Sequence, residues 1–324
     1  MADTTTTQNY IITTIFKDKI DSHLLTHVTI KVIEVVESLV LTPTELESKR
    51  VVEHTFSANL TTQEFDDITQ VLYEVSLENP EVNSFIQVDN EARRFKSLFV
   101  FDMDSTLIKE EVIDLMAEIA GCEDKIKSIT ERAMNGELDF KASLVERVAL
   151  LKGQSTDIFN QVLKRINFTD GVRDLCLVLK SFGIKMAVVS GGFLPLASVV
   201  KDELNLNHHF ANELEIDLET NTLTGRVIND IITPERKEQI VKELAEKYDI
   251  DMQHVVCVGD GANDLLMLKL AGLGIAFNAK PKVQKEVKIR LNLPTISDIL
   301  YIIGLNETNV NPILFDFEHF AKTK

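Results

Sequence analysis

Cysteine is scarce in this chain. Cys122, Cys176 and Cys257 are an odd number and lie far apart, in no metal-ligand spacing. That excludes a disulfide scaffold and a zinc module, and it suits reduced core thiols in a reducing compartment. Positive charge is also short: 34 Lys and Arg against 51 Asp and Glu give a formal net charge of −17. A nucleic acid or an anionic membrane needs a basic face, so neither is expected as a partner. The same field repels an anionic substrate at long range, so a phosphate substrate would require a local cation. No apolar run reaches the length of a membrane span. The opening segment, residues 1–10, is polar and Thr-rich, with neither a basic n-region nor an apolar h-region. A signal peptide is therefore not expected, and the cytoplasm is the default compartment.

What is present is a globular composition, 44% hydrophobic and 26% charged over 324 residues. That length accommodates a large domain plus a small one. Residues 1–95 read as the small one. Tyr10 to Phe16 is β-branched and aromatic, as a strand requires. Ser22 is placed to cap a helix carrying Leu24, Leu25, Val28, Val32, Val35 and Val36 at helical spacing. Leu39 to Leu41 and Val51 to Ser57 read as strands, Thr61 to Leu77 as a helix, and Ser84 to Val88 as a last strand. The order β-α-β-β-α-β is the ferredoxin-like α+β pattern. In arrangement and position it resembles the ACT-type regulatory domains, although the loop Lys17 to Asp21 lacks the glycine their ligand-binding loops often use. A structural or homodimerising role is the simpler expectation.

Residues 96–324 have a different texture. Leu98 to Phe101, Lys185 to Val189 and Val255 to Val258 are short, nearly unbroken apolar runs, which suits a parallel sheet covered on both faces. Helical segments between them supply the crossovers of a Rossmann-like, doubly wound α/β fold. About 80 residues between the first two strands are too many for one crossover helix. Residues 112–171 are thus expected to form an inserted helical cap. Leu214 to Leu218 and Leu223 to Ile228 read as a β-hairpin flap. Phe315, Phe317 and Phe320 suggest that the C-terminal segment packs onto the body.

The chemistry is expected at the carboxyl ends of those three strands. The first ends in Asp102-Met103-Asp104-Ser105-Thr106, the second in Ser190-Gly191-Gly192, the third in Gly259-Asp260-Gly261-Ala262-Asn263-Asp264. Open α/β sheets bind ligands at that edge. Clustered carboxylates there call for a hard cation, and oxygen donors with few protein ligands suit Mg²⁺. The segment Gly259 to Asp264 is not a dinucleotide fingerprint: it lacks the third glycine, and Asp260 would repel a pyrophosphate.

These three segments, in this order and strand context, resemble the motifs of the haloacid dehalogenase-like superfamily, and within it those of the phosphoserine phosphatases. The resemblance implies that Asp102 is the nucleophile and Asp104 the general acid and base. It implies that Mg²⁺ is held by the side chains of Asp102 and Asp260 and the backbone carbonyl of Asp104, with Asp264 a ligand through water or an orienter. Ser190, Gly191, Gly192 and Asn263 would line the phosphoryl pocket. Lys237 matches the lysine that neutralises the phosphoryl group, with Arg236 as its rival; spacing alone does not separate it from an ordinary helical lysine.

On the helix from Asp139, taking Phe140 as origin at about 100° per residue, Leu144, Val148 and Leu151 share one face and Arg147 falls inside it. A guanidinium there snorkels, pairs with an acid, or meets a ligand carboxylate. Unaided, the ion pair is the plainer reading. The resemblance points instead to a substrate carboxylate at Arg147, a substrate ammonium at Glu111 (with Glu110 as alternative), and apolar shielding by Met134 and Phe140. The expectation is a phosphatase converting O-phosphoserine to serine, the last step of serine biosynthesis. The alternatives are a phosphatase or phosphotransferase for another small phosphomonoester and, from a different class, a non-catalytic amino-acid sensor.

Overall fold

The computed structural model describes residues 7–46, 48–134 and 136–322. The first sheet is antiparallel. It comprises β1 (Gln8–Phe16), β2 (Thr42–Glu45), β3 (Val51–Ala58) and β4 (Val82–Val88), in the order β2-β3-β1-β4. Tyr10, Ile12 and Phe16 point from β1 toward Val28 and Val32 of the helix Ser22–Val35, and toward Ile68, Leu72 and Val75 of the helix Thr62–Glu78. The opposite face is buried as well: Ile15, Val51 and Phe85 join the core of the large unit. This explains why β1 is continuously buried from Tyr10 onward instead of alternating.

Two details depart from the sequence reading. Asp21, not Ser22, caps the first helix, its carboxylate accepting from the amides of His23 and Leu24 at 2.9 and 3.0 Å. The second strand is Thr42–Glu45 and not Leu39 to Leu41, a loop from which Leu39 and Leu41 pack into the small core while Val40 faces solvent. β2 is an exposed edge strand containing Pro43, so it carries none of the apolar alternation by which strands are found.

The second sheet contains β5 (Leu98–Phe101), β6 (Lys185–Phe193), β7 (His208–Asp217), β8 (Thr222–Ile228), β9 (Val255–Gly259), β10 (Leu273–Phe277) and β11 (Ile289–Leu291). Its order is β11-β10-β9-β5-β6-β7-β8, parallel throughout except for the β7–β8 hairpin. The doubly wound fold and the flap are thus as expected. Phe99, Phe101, Met186, Val188, Val256 and Val258 face one core, whereas Leu98, Val100, Ala187, Val189, Val255 and Cys257 face the other. Alternate residues of one strand serve opposite layers, so an unbroken apolar run is what this sheet needs.

Register brings the site together. Phe101 pairs with Val188 on one side and Val258 on the other, so the three chemical segments leave the sheet side by side. Between β5 and β6 the chain inserts the helices Val112–Ala120, Glu123–Met134, Phe140–Ala149 and Ile158–Leu163. The flap closes on this cap through paired backbone bonds of 2.8 Å, Gly153 N–H to the Leu223 carbonyl and Leu223 N–H to that of Gln154.

The small unit is tied down by ions. Arg50 pairs with Asp298, a carboxylate 1% exposed, and Arg93 pairs with Glu53 at 2.7 Å while donating to the Tyr301 carbonyl at 3.2 Å. The helix Glu307–Lys322 packs through Val310, Ile313 and Leu314. Phe315, expected to pack, is 70% exposed, because it points away from the face those residues define. The side chains of Phe317 and Phe320 lie outside the described residues. Among the described residues no helix is long and apolar enough to cross a membrane.

Candidate active site

Asp102 is the first residue past β5. Its amide donates to the Val258 carbonyl at 2.9 Å, so β9 fixes its backbone. The chain then enters a tight irregular turn, Met103–Leu107, pinned by buried Met103 and Leu107. Ser105 takes a left-handed conformation there, φ 55°, unusual for a side chain with a Cβ. The hydroxyl so placed donates to Glu111 Oε1 at 2.9 Å. A locally strained residue thereby orients one of the expected substrate contacts.

Lys237 comes from the helix Pro234–Tyr248, which starts with Thr233 as cap and Pro234 in its first turn. Its ammonium is fully buried and lies 2.7 Å from both Asp102 Oδ1 and Asp264 Oδ1. Arg236, the rival, turns along the helix surface to Glu243 at 2.6 Å. Asp264 is held from its other oxygen by the amides of Asp260 and Gly261, at 3.2 and 2.9 Å. A Cβ at Gly259 would run into that carboxylate at 2.5 Å, so only glycine lets Asp264 lie against the end of β9.

Electrostatics follow from this crowding. Burial, the Asp264 carboxylate and Asp260 push Asp102 well above the usual carboxylate range, against the pull of Lys237. Burial and Asp264 raise Asp260 to about 6. Burial alone would lower Lys237, but Asp102 and Asp264 outweigh it and hold the ammonium above its ordinary value. One oxygen from each of Asp102, Asp260 and Asp264 lies within 4.8 Å of the others, all three buried. An all-oxygen cluster carrying more negative charge than Lys237 neutralises fits a hard divalent cation.

Asp104 differs. Burial, then Glu111 and Asp102, raise it well above the carboxylate range. Oδ2 accepts weakly from the Val112 amide at 3.4 Å, and Oδ1 is buried without a partner. A carboxyl that keeps its proton in this setting can donate it.

The second strand end contributes Ser190, fully buried, whose oxygen accepts from the Gly192 amide at 2.8 Å. Phe140 lies over Gly191: a Cβ there would stand 3.0 Å from the ring and 3.9 Å from Asn263 Nδ2. Gly192 is hemmed in by Val112 and Ser190, which a Cβ would meet at 2.9 and 3.0 Å. These residues of β6, the cap and the β9 loop therefore share one small volume. Arg147 donates to the Ser143 carbonyl at 3.3 Å and makes no salt bridge among the described residues, so the simple ion pair is not formed. Burial lowers its pKa, while Asp114, Glu111 and Asp104 raise it. Glu110, the alternative to Glu111, is engaged by Asn167 at 2.7 and 2.9 Å. The Met134 side chain lies outside the described residues.

Three participants escaped the sequence reading. Ser105 is one. Asn212, from β7, donates to the Gly191 carbonyl and accepts from the Ile232 amide, both at 2.8 Å, and so fixes the peptide behind Ser190. Lys280 lies 3.1 Å from Asp260 Oδ2. It follows β10, an apolar strand whose own carboxyl end pointed to this edge.

A doubly wound parallel sheet with an aspartate-bearing turn after its central strand, a buried lysine and an acid cluster at one edge defines an enzyme of the Rossmann-like α/β class. The haloacid dehalogenase-like hydrolase profile matches residues 96–272, and the chain belongs to that family. It is 44% identical over 245 residues to the phosphoserine phosphatase of Saccharomyces cerevisiae, covering 75% of this chain and 79% of that protein. A HAD family hydrolase from Salmonella enterica serovar Typhi superposes with a TM-score of 0.78 at 29% identity, over 91% of this chain and 99% of its own. A structure of a phospho-aspartyl intermediate analogue of phosphoserine phosphatase superposes at 0.60 with 40% identity, over 64% of this chain and 98% of its own.

Proposed function

We propose that the chain is a metal-dependent phosphatase that hydrolyses O-phosphoserine to serine and inorganic phosphate. The observation that carries this reading is the pairing of a nucleophile site at Asp102 with an Arg147 guanidinium that, among the described residues, forms no salt bridge and so is left for a substrate carboxylate. A substrate with phosphate, carboxylate and ammonium groups matches Lys237, Arg147 and Glu111 respectively.

In the first half-reaction an Asp102 oxygen bonds to phosphorus as the bond from phosphorus to the serine oxygen breaks, and Asp104 gives its proton to that oxygen. In the second, Asp104 takes a proton from water, which attacks the aspartyl phosphate and releases phosphate with Asp102 regenerated. Lys237 neutralises charge on the transferring group, and Ser190, Gly191, Gly192 and Asn263 bound its pocket. Phe140, lying over Gly191, shields it from water. Asp102 and Asp260, with the Asp104 carbonyl and with Asp264 as a ligand through water or an orienter, would hold Mg²⁺, which would supply positive charge that keeps Asp102 ionised and offsets that of the phosphoryl group. Three free thiols support a cytoplasmic setting, and the β2 edge gives the small unit a strand through which two copies can pair.

Removing the guanidinium tests the substrate. Arg147→Ala is expected to raise KM for phosphoserine by about 100-fold, the loss of a charge-assisted carboxylate contact, with little change for p-nitrophenyl phosphate. Equal effects on both would favour a different small phosphomonoester.

Protons compete with the metal. Asp260 sits at about 6 without it, so Mg²⁺ affinity should fall as pH drops through that value, approaching about tenfold per pH unit. Asp102, also raised, moves the onset only upward. Calorimetric titration of Mg²⁺ between about pH 5 and 8 checks this; a flat affinity would remove Asp260 from the ligand set.

A further inference from the structure

The β10 end brings a second lysine to the acids, held quite differently from Lys237. Its backbone is fixed: the Lys280 amide donates to the Asp260 carbonyl at 3.0 Å, and its own carbonyl accepts from Val283 and Gln284 at 2.9 and 3.1 Å. Pro281 starts the next helix immediately after it. The side chain, by contrast, is 61% exposed, with the ammonium 3.1 Å from Asp260 Oδ2 and 4.0 Å from Glu111 Oε1. Among the described residues neither acid has another salt-bridge partner. Lys237 has no route to water, whereas Lys280 needs only a few bond rotations to be fully hydrated.

We propose that Lys280 is the exchangeable counter-ion of the site: its ammonium competes with the divalent cation for Asp260 and so weakens metal binding to the substrate-free enzyme. This rests on reading Asp260 as a metal ligand. The physical ground is that one carboxylate cannot serve both cations at full strength. The ammonium relieves the repulsion among Asp260, Asp264 and Glu111, and a metal ion must displace it to take the same oxygens. A mouth lysine that can leave, paired with a buried one that cannot, gives the acid cluster a fixed charge and a replaceable one.

Calorimetric titration of Mg²⁺ into the metal-stripped full-length protein tests it, using wild type, Lys280→Met, Lys280→Arg and Asp260→Asn, with melting temperatures as a check on folding. Lys280→Met should bind Mg²⁺ about 5- to 20-fold more tightly, the reciprocal of the removed competition, and Lys280→Arg should stay near wild type. Unchanged or weaker binding in Lys280→Met overturns the proposal, as does equal tightening in Lys280→Arg. Should Lys280→Met fail to fold, Lys280→Gln carries the same expectation. Asp260→Asn separates the two readings: if it keeps wild-type Mg²⁺ affinity, Asp260 is not a ligand and the underlying assignment is what fails.

Discussion

Asp102→Asn is expected to lower phosphoserine turnover by about 10⁴-fold or more while leaving the protein folded. The amide occupies the same space and its oxygen can still accept from Lys237, which keeps its second partner Asp264 at 2.7 Å. What is lost, on the proposed mechanism, is the nucleophile, and neither Asp104 nor Asp264 is placed to replace it. Asp104 has one oxygen toward the Val112 amide on the cap side, and Asp264 is tied by Lys237 and two backbone amides. Stability should hold or rise in metal-free protein, because the wild-type carboxylate is buried and repelled by Asp264 and Asp260. Phosphate release and a thermal melt, with mass spectrometry to exclude deamidation back to Asp, measure both halves. Near-normal hydrolysis by an intact Asn variant would sink the covalent mechanism.

The sequence was legible where one local pattern carried the meaning. Unbroken apolar runs marked β5, β6 and β9, and the polar residues just beyond them marked the catalytic edge, because strand ends in a parallel sheet align in space. It was illegible where meaning came only from contact. Lys237 is one lysine among several on its helix, and nothing in the spacing shows that its ammonium reaches Asp102 across 135 residues of chain. Asn212 follows an irregular, half-exposed stretch of β7 and gains its role from the Gly191 peptide behind it. Ser105 stood within the first motif, but its left-handed backbone is imposed by the turn. Arg147 shows the converse: helical phase put a cation on an apolar face, and packing left it without a salt bridge among the described residues.

Lys237→Met should be the most damaging single change to stability and close to the worst for catalysis. The side chain is fully buried, so the variant leaves Asp102 and Asp264 facing each other without a cation in metal-free protein. Breaking a buried ion pair from one side costs about 3–5 kcal/mol, which urea unfolding would read as a lower midpoint. The sign of the pH dependence follows. In wild type the raised Lys237 contributes its stability fully below the unfolded lysine value and loses it only as pH climbs through the still higher folded one, so neutral pH leaves it constant. In the variant Asp102, already raised by burial and by Asp264, loses the opposing pull of the lysine and takes up a proton more readily when folded than when unfolded, so the deficit should narrow as pH falls from neutral toward the ordinary carboxylate range. Adding Asp264→Asn removes the second charge and should restore part of the stability but none of the turnover, since the phosphoryl group still lacks its cation. If Lys237→Met unfolds at the wild-type midpoint at neutral pH, the lysine is not what holds the two carboxylates together. The charge balance that the proposed nucleophile Asp102 requires would then have to come from elsewhere.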